Sequence, residues 1–260
     1  MIKLKVMTFN LRVRATVDGN NIFDNRRDKI LNLIQSEAPD VIGFQEASDM
    51  MQDWLKEVLT DYYVLGHGRG KNFHGEGTPI AYRKDRFDLH AFREQWLSFA
   101  PDAPASVFTG LDQSSCPRVL ACAELIHKDA AAPFAFFNIH TDHKGEQARV
   151  AECVLLAQQL IATKLPFVVT GDFNALPDSA SIQMLLTTKE QTQIVDATSN
   201  IVGSFHGFKG DVGTHKIDYI FTNMATNPEA SYAIADDDRE GCYYSDHNAI
   251  VSFVELDSLQ

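Results

Sequence analysis

Cysteine is scarce in this chain and unpatterned. Cys116, Cys122, Cys153 and Cys242 are the whole complement, with no CxxC spacing, so neither a disulfide framework nor a zinc knuckle is indicated and reduced thiols are expected. Positive charge is also short: 23 lysines and arginines face 35 acidic residues, a net charge of −12. That balance opposes tight non-specific adhesion to nucleic acid or to an anionic membrane, although a local basic groove stays compatible with it. No apolar run approaches membrane-spanning length. The opening MIKLKVMTFN alternates as a strand does and has no apolar signal-peptide core. A soluble cytoplasmic protein is expected, secreted only if a signal peptide preceded this sequence. The GxxxxGK[ST] order of a phosphate-binding loop is missing, even from the glycine-rich GHGRGKNFHGEG at 66–77. There is no internal repeat and no low-complexity segment.

What is present suffices for a large core: 260 residues, 45% of them hydrophobic, with nothing that reads as an interdomain linker, so one domain over 1–260 and a monomer are expected. Residues 3–11 set Leu4, Val6 and Thr8 against Lys5, Met7 and Phe9, the alternation of a strand ending near Asn10. Asp24 reads as the N-cap of a helix that ends before Pro39. Residues 40–46 and 62–66 read as strands separated by a helix over 47–59. The segments 78–82 and 87–97 read as a strand pair around the turn Arg83-Lys84-Asp85-Arg86, and 98–117 as a long irregular stretch. Strands are expected at 118–125, 134–141, 167–170, 194–197, 216–221, 232–235 and 249–256. A helix over 145–164 should pack Val150, Val154, Ala157 and Ile161 on a sheet, with Glu146, Gln147 and Glu152 in solvent. A second, shorter helix is expected over 178–186, and the acidic run 236–240 reads as a solvated turn.

Polar groups recur at the ends of the apolar strands: Asn10, Glu46, His140 with Asp142, Asp172 with Asn174, Asp218, and Asp246 with His247. Each has a plain structural alternative. GDFN at 171–174 is also a strand end followed by an Asx-turn. Glu46 is also an acid at a helix N-terminus, and Asp142 and His143 are also loop caps. Six such strand ends together are harder to explain away, because an ionisable group following a buried strand must reach solvent, pair or bind a cation. Carboxylates and amides suit a hard cation, Mg²⁺ or Mn²⁺, better than zinc. Asp218 and Asp246-His247 suggest a carboxylate–imidazole pair that would favour the imidazolium. His67, His74, His90, His127 and His215 read as surface or satisfied histidines. Phe205 and Phe208 read as packing beneath their own loop, with stacking on a base the alternative.

Taken in order, TFN at 8–10, QE at 45–46, NIHTDH at 138–143, GDFN at 171–174, IDYIF at 217–221 and SDH at 245–247 resemble the endonuclease/exonuclease/phosphatase superfamily of divalent-metal phosphoesterases. YRKDRF at 82–87 and FHGF at 205–208 resemble its bacterial metal-dependent hydrolase branch. The resemblance implies a DNase I-like, four-layer α/β sandwich: two face-to-face, mostly antiparallel sheets flanked by helices, with the site at one end. It implies Glu46 as principal metal ligand, with Asn10 and Asp246 supporting it. It further implies that Asp172 positions or deprotonates the attacking water, that Asn174 holds the phosphate, and that His140 and His247 contact it, His247 being oriented by Asp218. Glu76 would orient His140, and Arg118 would contact the phosphate.

A Mg²⁺- or Mn²⁺-dependent phosphoesterase follows from the resemblance, on a small or short phosphodiester or a phosphorylated sugar or lipid headgroup. Nuclease action on DNA or RNA is the alternative, less favoured by the net charge. A non-catalytic phosphate-binding module should have lost one or more of these positions, and none is lost. A lipid-directed enzyme should expose an apolar loop, for which Val107, Phe108 and Leu111 are the candidates.

Overall fold

A computed structural model describes residues 1–210, 213, 215–236 and 241–259. In chain order the elements are β1 (Ile2–Asn10), α1 (Phe23–Glu37), β2 (Val41–Gln45), α2 (Asp49–Val58), β3 (Tyr62–Leu65), β4 (Ile80–Arg83), β5 (Phe87–Trp96), β6 (Val119–His127) and β7 (Phe134–His140). There follow α3 (Glu146–Thr163), β8 (Phe167–Asp172), α4 (Ala180–Leu186), α5 (Lys189–Thr192), β9 (Val195–Asp196), β10 (Asp218–Thr222), β11 (Ala225–Thr226), β12 (Tyr232–Ile234) and β13 (Ala249–Leu256). Seven strands form one sheet in the order β11-β13-β1-β2-β4-β3, with β12 also on β13. The other six run β5-β6-β7-β8-β10-β9. Each sheet holds one parallel pair, β1 with β2 and β7 with β8, in an otherwise antiparallel ladder.

The alternation along β1 sets the layers. Leu4 and Val6 join Val41, Ile80 and Ile250 of the same sheet and meet Phe136, Val168 and Ile220 of the other, which is the core between the sheets. Met7 and Phe9 point the other way and meet Ile30 and Ile34 of α1 and Met51 and Leu55 of α2. On the far side Phe137, Ile139 and Val169 meet Leu156 and Leu160 of α3 and Ile182 and Leu185 of α4. The stack is helix, sheet, sheet, helix, as expected, and each fully buried Leu or Ile on these seams contributes about 1.5–3 kcal/mol.

Several local expectations are corrected. The segments 78–82 and 87–97 do not pair: β4 lies between β2 and β3 in the seven-stranded sheet, whereas β5 pairs with β6 in the other. The turn at 83–86 therefore carries the chain between layers. Helix α3 is rotated from its expected phase. It buries Ala148, Glu152, Cys153, Leu156, Ala157 and Leu160 and leaves Val154 and Ile161 exposed. Glu152, expected in solvent, has no exposed surface. At the start of α1 the cap position is Ile22, without a side-chain cap, and Asp24 pairs with Arg14 at 2.6 Å. Phe108 is buried and covered edge-to-face by the exposed Phe99, so it presents no apolar tip to a membrane. In the acidic run at 236–240, only Asp236 is described: it is buried and paired with Lys29 at 2.6 Å. The remainder, 237–240, lies outside the described residues.

Candidate active site

Toward one end of the sandwich the space between the sheets changes from hydrocarbon to neutral polar groups and then to ionisable ones. The neutral layer is a hydrogen-bonded network that spans both sheets. Gln45 Nε2 donates to Asn138 Oδ1 at 2.7 Å and to Thr8 Oγ1 at 3.1 Å, Thr170 Oγ1 donates to Asn138 Oδ1 at 3.1 Å, and Asn138 Nδ2 donates to the Phe44 carbonyl at 2.7 Å. Gly43 makes room for it, since a Cβ there would stand 2.0 Å from Thr170 Oγ1. Such a network holds the two sheets in one register, because a buried polar group displaced from its partner costs about 1–3 kcal/mol.

One step farther along each strand, where the alternation returns the side chain to the same face, come the reactive groups. His140 is paired in register with Asp172 across β7 and β8, and Asp172 with Asp218 across β8 and β10, so three strand positions form one rung. Asn10 caps β1 and donates from Nδ2 to Asp172 Oδ2 at 2.9 Å and to Glu46 Oε1 at 3.2 Å. Glu46 follows β2 in a left-handed conformation, φ 57°. Its Oε2 accepts the Val13 N–H at 2.8 Å. Asn174 is likewise left-handed, φ 46°, and its N–H is held by Asp172 Oδ1 at 2.9 Å. The Asx-turn reading of GDFN is thus present, and it leaves Asp172 at the strand end beside His140. Gly171 lies inside β8, where a Cβ would stand 2.4 Å from the Ile139 carbonyl, so the close approach of β7 requires glycine there.

His247 completes the rung from the other sheet. Its Nδ1 faces Asp218 Oδ2 at 2.8 Å, and its Nε2 lies 3.7 Å from Asp172 Oδ2, while His140 Nε2 approaches the same oxygen at 3.6 Å. Burial opposes charge on His247, but Asp218 and Asp172 outweigh it and hold its pKa well above the ordinary histidine value. Burial, reinforced by the charge of Asp218, pushes the Asp172 carboxyl up to about 7. His140 is held well below the ordinary value by burial and by Arg118 and Arg69. Two imidazoles flanking one carboxylate are thereby driven apart, one charged and one neutral.

These groups line an open cleft of about 350 Å³ with Arg12, Arg69, Glu76, Arg118, His143, Phe205 and Asp246. Glu46, Asp172, His140, His247 and Asp246 therefore share one pocket, with Asn10 and Asp218 bonded directly to it. Phe205 packs edge-on against His247, ring centroids 4.9 Å apart. One expectation does not hold, and of the two readings of Asp142 the loop cap is the one seen. Glu76 pairs with Arg69 at 2.6 Å, and His140 Nδ1 has no hydrogen-bond partner among the described residues, so Glu76 does not orient His140. Asp142 is withdrawn from the cleft, its Oδ1 capping the Lys144 and Gly145 N–H groups at 2.9 and 2.8 Å. His143 does reach the cleft and contacts Arg118 at 2.9 Å.

Arg12 was not singled out by the sequence, and Arg69, in the glycine-rich loop, reads from the sequence as solvated with contact to a substrate phosphate the alternative; both line the cleft. Arg12 stands two residues beyond Asn10, bound to both oxygens of Asp18 at 3.0 Å and 3.7 Å from Asp246. Behind it the buried Arg26 donates to the carbonyls of Leu11, Arg12, Asn21 and Tyr244, tying the loop after β1 to the one that carries Asp246.

The donor set fits a divalent metal. One ligand atom each from Glu46, His140 and Asp172 lies within 4.8 Å of the others, and Asp246, its pKa pushed up mainly by burial and also by Glu46, lines the same cleft. Carboxylates lining one cleft repel one another unless a cation joins them.

Sequence and structure comparisons agree with this fold. The family model described as the endonuclease/exonuclease/phosphatase family matches residues 7–247. A Bacteroides thetaiotaomicron protein of that family superposes with a TM-score of 0.84 at 27% identity, covering 98% of each chain. A mannosyl-6-phosphatase from the same organism gives 0.82 at 27% identity, over 97% of this chain and 100% of that one. An uncharacterized protein, L388, of Acanthamoeba polyphaga mimivirus is 29% identical over 182 residues, 66% of this chain and 67% of the other.

Proposed function

Because the chain belongs to the endonuclease/exonuclease/phosphatase family, whose members are phosphoesterases, we propose that it is a divalent-metal-dependent hydrolase of phosphoester bonds. Its substrate in this proposal is a small or short phosphodiester, or a phosphorylated sugar or lipid headgroup. The observation that carries this is the convergence of Glu46, His140 and Asp172 within 4.8 Å, next to a His247–Asp218 pair at 2.8 Å.

Held by Glu46 with Asn10 and Asp246, Mg²⁺ or Mn²⁺ would offset negative charge on a non-bridging phosphoryl oxygen. Asp172 orients the attacking water and accepts its proton, held for that by Asn10 and by the Asn174 N–H. His247, charged and fixed by Asp218, donates from Nε2 to a phosphoryl oxygen, and the side chain of Asn174, bonded to the Thr141 carbonyl at 3.1 Å, offers its remaining N–H beside it. Little covalent chemistry is asked of the protein, since positioning and electrostatics dominate phosphoryl transfer. The net charge of −12 weighs against a long nucleic acid. Among the described residues no helix is long and apolar enough to cross a membrane.

The test is a panel of phosphomonoesters, phosphodiesters, oligonucleotides and phospholipids at fixed Mn²⁺, with and without EDTA, for wild type and Asp172→Asn. Turnover is expected to need metal and to fall by about 10²- to 10⁴-fold in the variant. Activity unaffected by EDTA or by the substitution would reject the proposal.

A further inference from the structure

Arg12 lines the cleft and stands against two of its acids without bonding to either. Its Nε lies 3.7 Å from Asp246 Oδ2 and its Nη1 4.0 Å from Glu46 Oε2, too far for hydrogen bonds but close enough for strong attraction between unlike charges. The hydrogen bonds of the guanidinium go to another acid. Nε and Nη2 form a fork with the two oxygens of Asp18, each at 3.0 Å, and the Asp18 side chain is only 7% exposed.

The backbone enforces this placement. Arg12 has φ 53°, the left-handed region that a residue with a Cβ occupies only where its surroundings fix it there. They do so at both ends of the residue. Its N–H donates to Asn10 Oδ1 at 2.9 Å, and its carbonyl accepts from Nη2 of the buried Arg26 at 2.8 Å. The next residue, Val13, donates its N–H to Glu46 Oε2 at 2.8 Å, so the loop that aims Arg12 also holds one of the acids it faces. A solvated arginine needs none of these constraints.

A guanidinium keeps its charge throughout the working pH range. Held this close, it offsets part of the repulsion between Glu46 and Asp246 in the absence of metal, and it repels a divalent ion that comes to the same oxygens. Asp18 opposes both effects, since it neutralises the guanidinium and ties it back. Resting on the metal-dependent reading above, we infer that Arg12 is a resident counter-cation of the metal site, competing with the divalent ion for Glu46 and Asp246, and that its fork with Asp18 limits that competition. The Arg12 side chain is 29% exposed, so solvent screens the repulsion and metal affinity is lowered, not abolished.

The test is calorimetric titration of Mn²⁺ into metal-free wild type, Arg12→Gln, Arg12→Met and Asp18→Asn. The two neutral variants at position 12 should bind Mn²⁺ at least about fivefold more tightly than wild type. Asp18→Asn, which leaves the guanidinium unmatched and free to reach Glu46 and Asp246, should bind it about tenfold more weakly. An Arg12 that only braced its loop would give the opposite sign, with Mn²⁺ binding weakened when it is replaced. That result, or equal affinity in wild type and the neutral variants, would overturn the inference. If one neutral variant fails to fold by circular dichroism, the other decides, and failure of both would show that Arg12 serves the fold and would likewise overturn it. Mn²⁺ binding without turnover of any ester would reject the hydrolase proposal and leave the inference to the titration. Should wild type bind no Mn²⁺, uptake by Arg12→Gln would uphold the inference, and no uptake by any variant would overturn it.

Discussion

Replacing Glu152 by Gln should make the protein more stable at pH 8 while changing it little at pH 5. The carboxyl is buried in α3, accepts the Asp142 N–H through Oε2, and leaves Oε1 without a partner. Burial raises its pKa from 4.5 to about 8 in the folded chain. Below pH 4.5 both folded and unfolded states hold the proton and the group contributes nothing to the pH dependence. Between these values the unfolded chain ionises and the folded one does not, so stability falls as pH rises, and above about 8 the loss is complete. The gap corresponds to a loss on the order of 5 kcal/mol. Gln keeps an oxygen for the Asp142 N–H and cannot ionise, at the cost of about 1 kcal/mol for an unmatched amide N–H. Urea unfolding at several pH values between 5 and 8.5 measures this directly. The difference between variant and wild type should grow with pH by a few kcal/mol. An offset that stays constant across the range would show that Glu152 is not held neutral.

Two further outcomes are expected. In Asp218→Asn, His247 loses the acid 2.8 Å from its Nδ1, so kcat should drop by about 10²- to 10⁴-fold. Because the imidazolium would then be lost at lower pH, the alkaline limb of the kcat/KM profile should move down; an unmoved limb would exclude His247 as the charged group. In Gly43→Ala the new Cβ would stand 2.0 Å from Thr170 Oγ1 and 2.5 Å from Asn138 Oδ1, and overpacking this inter-sheet network should cost about 1–3 kcal/mol in urea unfolding. An unchanged midpoint would mean that the sheets are not held together there.

What could be read from the residues followed the physics of strands. An apolar run ending in Asn, Glu, His or Asp leaves a polar group that must be accommodated, and Asn10, Glu46, His140, Asp172, Asp218 and His247 do meet at one end of the sandwich. The closing strand, Ala249–Leu256, was read to its ends. Which strand lies beside which is a long-range property. The turn chemistry at 83–86 suits a hairpin, and nothing local reveals that β2 and β3 occupy both edges of β4. Helix α3 carries apolar residues on more than one stripe, and a glutamate at 152 disguised the buried one. Arg12 escaped notice, and Arg69 reads as solvated before it reads as a phosphate contact, because a long cationic side chain on a polar loop looks solvated whether or not it turns inward. Position could have flagged Arg12, two residues past Asn10. Glu76 drew an assignment to His140 that its neighbour Arg69 in fact takes.

The central claim, that Glu46 and its neighbours hold one divalent cation, is tested most directly by titrating Mn²⁺ into the metal-free protein and following the free-ion signal by electron paramagnetic resonance. Wild type should take up one Mn²⁺ per chain tightly, displaceable by Mg²⁺, with affinity falling by at least about tenfold in Glu46→Gln. Stoichiometric binding that survives Glu46→Gln unchanged, or no saturable binding in wild type, would contradict it.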